Sequence, residues 1–320
     1  MRLGVSLPSY ANDGMRIPPD RLARFAARAE ELGFAGVWIT EHLRRPPGRE
    51  YSRLDPLTTL ATVAGATETI PIGTSIMILP MRHPVMVAKR AATIQHLAAD
   101  RLTLGLGLGW VEAEYDAVGV PFRERGPRFT EGLELLSRLF AEDVVTFDGE
   151  FYSVDDFRLE PSVSRRPPIL VGGGSVEGDG ERFVPEPVKD RIHTYGDGWI
   201  AATRHPDDLA ETWREIADHV AANGRDPTLL EKVALNFIHM IPNVDTEAAL
   251  RRQRKAFKGK GDVEQALDSS LTGSVEDIRQ LVAQYEAQDY DELILGTRTH
   301  DLREIDRQLE LWADRLSSFM

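Results

Sequence analysis

Residues 72–108, IGTSIMILPMRHPVMVAKRAATIQHLAADRLTLGLGL, decide the fold. The segment opens on the short apolar run 72–78, whose β-branched residues read as a buried strand. Residues 84–97 follow as a helix, entered through Pro84 at the first helical position, where a missing N–H is harmless. Residues 102–108 form a second buried run. Two buried strands joined through a helix make a crossover unit, and its strands must be parallel.

The same unit recurs on both sides. Residues 3–7, 36–40, 168–171, 199–201, 233–241 and 292–295 read as strands. Residues 21–32, 56–67, 129–140, 188–194, 206–223, 274–288 and 302–316 read as helices. The first of these sets Leu22, Phe25, Ala26 and Ala29 on one face and stops at Gly33. Eight strands alternating with helices predict an α/β fold, a single (β/α)8 TIM-type barrel over residues 1–320, with a doubly wound open sheet as the competitor. Two insertions interrupt the rhythm. Residues 144–154, VVTFDGEFYSV, carry Asp148-Gly149 between alternating apolar residues and predict a β-hairpin outside the barrel. The charged region 246–271 is predicted to be a peripheral helical insertion.

Composition narrows the partners. A net charge of −13 spread along the chain argues against a nucleic-acid partner, which needs a clustered positive field. With no cysteine, disulfides, thiolate nucleophiles and thiolate metal sites are excluded. No charged-then-apolar leader and no apolar run of membrane-spanning length occurs, so a cytoplasmic protein without a membrane partner is expected. The histidines lack H-x-H and H-E-x-x-H spacing, so no metal is expected, and the absence of G-x-S-x-G argues against a serine nucleophile.

Barrels of this kind carry their chemistry at the C-terminal ends of the strands. Strand two delivers Glu41 and His42. Being adjacent, they point different ways, so either could enter the mouth as acid or base while the other is structural. His83, just before Pro84, fits a capping role as well as ligand contact. Gly105-Leu106-Gly107-Leu108-Gly109-Trp110 ends strand four, followed by Glu112 and Glu114. It lacks dinucleotide-binding spacing, and Gly107 and Gly109 read as positions where a bulky ligand approaches the backbone. Gly172, Gly173, Gly174 and Ser175 follow strand five, and read either as an anion-binding nest of backbone N–H groups or as a tight turn. The aromatic residues Tyr10, Trp110 and Phe122 point to an apolar substrate pocket, although core packing accounts for them equally well.

Six segments occur in a characteristic order: GVWITEHL (36–43), IGTSIMILPMRHPVMVAK (72–89), RLTLGLGLGW (101–110), GVPFRERG (119–126), PPILVGGGS (167–175) and GDGW (196–199). Together they resemble the luciferase-like flavin and deazaflavin oxidoreductases of the bacterial luciferase superfamily, most of all the coenzyme F420-dependent branch. The likeness runs from the first strand through Trp199 and weakens over 243–273. It implies a barrel with insertions, a homodimer, and a flavin-like ring in the mouth, F420 or alternatively FMN. It further implies a non-proline cis peptide at Ser75–Ile76, beside Thr74, supporting one face of the ring. The Asp-His pair of such relatives matches Glu41-His42, with an acid one methylene longer. The cofactor is expected to reach Gly172, with its phosphate against Gly173, Gly174 and Ser175.

Two departures stand out. Residues 176–195 are longer and more acidic than in these relatives, and form either a lid or a wall of the substrate pocket. Trp110 stands where the sugar-phosphate-oxidising relatives place a glutamate. Three functions follow from the resemblance: an F420-dependent oxidoreductase passing a hydride to or from a small organic substrate, an FMN-dependent monooxygenase using O2, or a non-catalytic binder of flavin or F420. Arg44, Arg45, Arg49 and Arg82 could give the polyglutamyl tail of F420 a basic exit, or could be ordinary surface residues.

Overall fold

Strand pairing closes into a ring in the computed structural model, which describes residues 1–12, 17–44, 51–178, 181–202, 205–242, 247, 251, 270–297, 299 and 301–320. The strands are β1 (Arg2–Ser6), β2 (Val37–Ile39), β3 (Ile72–Ile78), β4 (Leu102–Gly107), β5 (Ile169–Gly172), β6 (Gly198–Ala202), β7 (Glu231–Met240) and β8 (Glu292–Gly296). Each pairs in parallel with the next, and β1 pairs with β8 from Arg2↔Glu292 to Val5↔Leu295. That last pairing closes the barrel and excludes the open sheet.

The helices α1 (Arg21–Glu31), α2 (Pro56–Ala64), α3 (Pro84–Leu97), α4 (Glu112–Ala117), α5 (Arg125–Ala141), α6 (Glu186–Tyr195), α7 (Pro206–Ala222) and α8 (Val275–Ala287) lie between the strands in chain order, and α9 (Leu302–Arg315) follows β8. Local chemistry sets several of their ends. Asp55 accepts from Thr58 N at 2.9 Å ahead of Pro56, Ser274 and Asp277 form a reciprocal capping box, and Gly33 takes the left-handed conformation after α1 at φ +84°.

Strand alternation divides the core. Leu3, Val5, Val37, Ile39, Leu104 and Leu106 face the helical layer, whereas Trp38, Leu170, Ile200, Val233, Leu235 and Ile294 fill the bore, with Ile76 packed on them. Burying each such side chain contributes about 1.5–3 kcal/mol. Glycine supplies the room. A Cβ on Gly73 would lie 2.4 Å from Trp38 Cζ3, and one on Gly4 2.1 Å from Glu292 Oε1. The Trp38 indole N–H donates to Glu292 Oε1 at 2.6 Å, so this pair plugs the N-terminal end of the barrel.

Both insertions depart from expectation in detail. The hairpin stands apart from the barrel as predicted, but pairs Val145–Asp148 with Ser153–Phe157 and so extends beyond residue 154. Its turn is longer than two residues because Glu131 of α5 accepts from the N–H groups of Glu150, Phe151 and Tyr152 at 2.9, 2.8 and 2.7 Å. Most of the predicted helical insertion 246–271 lies outside the described residues; 247 and 251 are helical. Its C-terminal end is corrected: Ser270–Gly273 is a strand, drawn into parallel pairing with Phe237–Met240 by the overhanging end of β7. Two small sheets were not anticipated, Tyr10–Asn12 with Tyr51–Arg53 and Val176–Gly178 with Glu181–Phe183. Three-residue strands are too short to show alternation. Among the described residues no helix is long and apolar enough to cross a membrane.

Candidate active site

The mouth is built around an irregularity in β3. Thr74 pairs with Leu104 and Met77 with Leu106, so β3 carries one residue more than β4 over this interval, a β-bulge. The Ser75–Ile76 peptide within it is cis, as the resemblance implied. Thr74 Oγ1 donates to Gly105 O at 2.8 Å and ties the bulge to β4. Ile76 lies across the neighbouring strand ends: a Cβ on Gly107 would meet Ile76 Cγ2 at 2.9 Å, and one on Gly172 would meet Ile76 Cδ1 at 2.7 Å. Gly109, at φ +68°, faces Ile78 Cδ1 in the same way at 2.8 Å. The missing side chains of Gly107 and Gly109 make room for Ile76 and Ile78 of the adjacent strand. The buried Ser75 hydroxyl has no hydrogen-bond partner among the described residues, and the same holds for Ser9 and Thr40 after β1 and β2.

Glu41 and His42 part as their adjacency requires. Glu41 is buried and turned toward β3, accepting from Ile78 N at 2.7 Å and from both terminal nitrogens of Arg82. Arg82 Nη1 also donates to Ile78 O at 3.1 Å, so the pair holds both backbone polar groups of the residue that ends the strand. Burial pushes the Glu41 carboxyl up, against the pull of Arg82 and the Ile78 amide. Arg82, which the sequence offered as one of several basic residues for the F420 tail or as a surface residue, is the inner partner of Glu41, with Asp55 at 3.6 Å.

His42 turns the other way, half-buried beside the mouth. Its Nδ1 lies 3.2 Å from Glu114 Oε1, and its ring meets that of Trp110 edge-on with centroids 5.9 Å apart. Glu114, on α4, is fully buried and also accepts from Arg44 N at 3.2 Å. Burial raises the Glu114 carboxyl, but the His42 hydrogen bond and the backbone N–H groups of Arg44 and Leu43 outweigh it, leaving the group below its usual range. A carboxylate on Nδ1 fixes that proton in place, and Nε2 has no partner among the described residues. Glu114 was visible in the sequence only as an acid behind strand four. Its pairing with a residue 72 positions earlier left no spacing signal.

The four small residues after β5 divide by surroundings. Gly172 accommodates Ile76, and Gly173 accommodates Val188 of α6, whose Cγ1 would lie 2.6 Å from a Cβ there. Gly173 O accepts from the Trp199 indole N–H at 2.7 Å, which explains the tryptophan of the Gly196–Trp199 segment. Nothing lies within 4 Å of a Cβ built on Gly174, so its backbone is open. Ser175 is buried, and its hydroxyl accepts from Thr212 Oγ1 of α7 at 3.3 Å. An open glycine backbone beside a buried hydroxyl, with the Ser9, Thr40 and Ser75 hydroxyls unpartnered among the described residues, suits a phosphate-bearing planar ligand.

The other expected positions are distributed as follows. Trp110 is 62% exposed at the rim. Tyr10 begins the small sheet with Tyr51–Arg53, and its side chain lies outside the described residues, as do Arg45 and Arg49. Arg44 is exposed. His83 caps α3, its Nδ1 accepting from Val85 N at 3.3 Å. The 176–195 segment folds as a two-stranded hairpin followed by α6. Away from the mouth, His219 of α7 bridges Glu186 and Asp190 of α6 at 3.2 and 3.0 Å, a polar link between two outer helices.

Comparison with known proteins agrees with this geometry. The F420-dependent hydroxymycolic acid dehydrogenase of Mycobacterium tuberculosis is 33% identical over 219 residues, 67% of this chain and 58% of that protein. The F420-dependent glucose-6-phosphate dehydrogenase of Kineococcus radiotolerans is 36% identical over 171 residues, 52% of this chain and 50% of that protein. The matched segments thus span little more than half the length of these relatives. An F420-dependent secondary alcohol dehydrogenase, solved with an F420–acetone adduct, superposes with a TM-score of 0.79 at 18% identity, covering 100% of this chain and 99% of the other, and shares the barrel fold. The luciferase-like monooxygenase family model matches residues 1–312, and the chain belongs to that family.

Proposed function

We propose that this chain is an F420-dependent oxidoreductase that interconverts an alcohol and a carbonyl compound. One observation carries the reading: beside the bulged end of β3, His42 has Nδ1 held by the buried Glu114 and Nε2 without a partner among the described residues. That arrangement suits an acid–base group rather than a structural histidine. The names of the relatives at 33% and 36% identity support the choice of F420 over FMN.

The residues present fit the cofactor. Ser75 and Ile76 provide a ledge for the ring, and Gly174 and Ser175 an open backbone and a buried hydroxyl for the phosphate. When bound, the deazaflavin supplies a hydride acceptor or donor. The protein supplies the complementary proton transfer. His42 Nε2 takes the hydroxyl proton as an alcohol is oxidised, or returns it to the oxygen when a carbonyl is reduced. Glu114 keeps the ring in the tautomer that leaves Nε2 free and stabilises the imidazolium once formed. Glu41 and Arg82 hold the end of β3 and do not reach the reacting atoms in this reading.

The test is a titration of the purified protein with oxidised F420 and with FMN, followed by fluorescence quenching, and then turnover with a secondary alcohol. Binding of F420 in preference to FMN is expected, with His42→Ala losing turnover far more than affinity. FMN binding without F420 binding would overturn the reading in favour of a flavin monooxygenase. F420 binding with turnover unaffected by His42→Ala would remove the acid–base role.

A further inference from the structure

Exposed apolar side chains gather on one end of the barrel. Five of the large hydrophobic residues left exposed among the described residues follow strand ends at the mouth: Leu43 (46%), Leu54 (39%), Trp110 (62%), Val176 (45%) and Phe183 (45%). Single exposed apolar residues are ordinary on a protein surface, but a group on one rim marks a place where apolar material binds.

Topology brings these residues to the same side. Trp110 follows β4 and the 176–183 hairpin follows β5, and these strands are direct neighbours, with Leu106 paired to Val171. Leu43 is next to His42, whose ring meets Trp110. Within the hairpin, Val176 is paired with Phe183, so both side chains share a face. Arg182 points to the opposite face and forms an ion pair with Asp208 of α7 at 2.6 Å. That link fastens one face of the hairpin to α7 and leaves the apolar pair on the other face.

We infer that this rim binds the hydrocarbon chain of the substrate, so the substrate is an alcohol or ketone carrying an extended apolar chain, not a compact polar one. The inference rests on the alcohol–carbonyl reading of the His42 site. Trp110 and the Val176–Phe183 pair are specificity determinants that line the path of the chain away from the reacting carbon.

Isothermal titration calorimetry with a series of 2-alkanones from four to nine carbons tests the proposal on the F420-loaded protein and on the cofactor-free protein. Each added methylene is expected to tighten binding about fourfold until the rim is covered. Trp110→Ala and Phe183→Ala are expected to flatten that dependence, and Trp110→Leu to retain most of it. Both residues are exposed, so these variants keep the fold, which circular dichroism checks. Affinity independent of chain length, or a dependence unchanged in both alanine variants, overturns the proposal. So does the finding, by sedimentation velocity, that the alanine variants dissociate a dimer while leaving the dependence intact, since the rim is then a contact between two copies. Failure to bind F420 strikes the cofactor reading instead, and the cofactor-free series still tests the rim.

Discussion

Replacing Glu292 by glutamine is expected to stabilise the protein at alkaline pH and to leave it nearly unchanged in mild acid. Glu292 sits in the barrel floor with only the Trp38 indole as a close donor; Arg2, mostly exposed, is 3.9 Å away and already paired with Glu231. Burial pushes its carboxyl from 4.5 up to about 7, with the Trp38 hydrogen bond and Arg2 pulling the other way. A raised pKa means that the folded state holds the proton more tightly than the unfolded chain does. The carboxyl therefore costs nothing at low pH, and stability is lost as pH climbs from the unfolded value through the folded one. Roughly 2.5 units at 1.36 kcal/mol each give a loss of about 3 kcal/mol at pH 8 and only about 0.4 kcal/mol at pH 4.5. Glutamine cannot ionise, is close in size, and still accepts from the indole. Urea unfolding of both proteins at pH 4.5, 6 and 8, read by tryptophan fluorescence, should show the gap opening with pH in favour of the variant. A gap independent of pH, or a variant less stable at pH 8, would refute the argument, because it would show the carboxylate to be ionised and well compensated in the fold.

Other substitutions probe the mouth. Glu114→Gln removes the charge that supports His42 and is expected to lower kcat about 10- to 100-fold while F420 affinity stays the same; stopped-flow reduction and fluorescence titration separate the two. Glu41→Gln takes the main carboxylate from the partly buried Arg82, leaving it Asp55 at 3.6 Å, and is expected to cost about 1–3 kcal/mol in urea unfolding, part of it recovered in the double variant Glu41→Gln/Arg82→Met. Gly172→Ala drives a methyl to 2.7 Å from Ile76 Cδ1 and is expected to lower stability by about 1–3 kcal/mol, seen as a lower urea midpoint. Gly174→Ala adds a Cβ with nothing within 4 Å, so it is expected to leave the urea midpoint unchanged and to weaken F420 binding about tenfold if that backbone receives the phosphate.

The alternation of buried runs with amphipathic helices was sufficient to identify the barrel, because both periodicities are local and each strand must be buried on two faces. Segments such as 72–78 and 84–97 even showed their exact ends, since Pro84 and the loss of the apolar run mark them. The six ordered motifs identified the family and located the cis peptide. The amino-acid order also set Glu41 beside His42 and so guaranteed that the two would diverge.

Which of the two faces the mouth is a tertiary matter. It depends on Ile78 and Arg82 approaching Glu41 from β3, and on Glu114 approaching His42 from α4. The glycines show the same division. Gly107, Gly109, Gly172, Gly173 and Gly174 are alike as letters, yet four make room for the protein's own Ile76, Ile78 or Val188, and Gly174 alone of the five stands open. A glycine records that a side chain is absent. What occupies the space is decided by a strand or helix far along the chain, because packing is a relation between residues that sequence spacing does not encode.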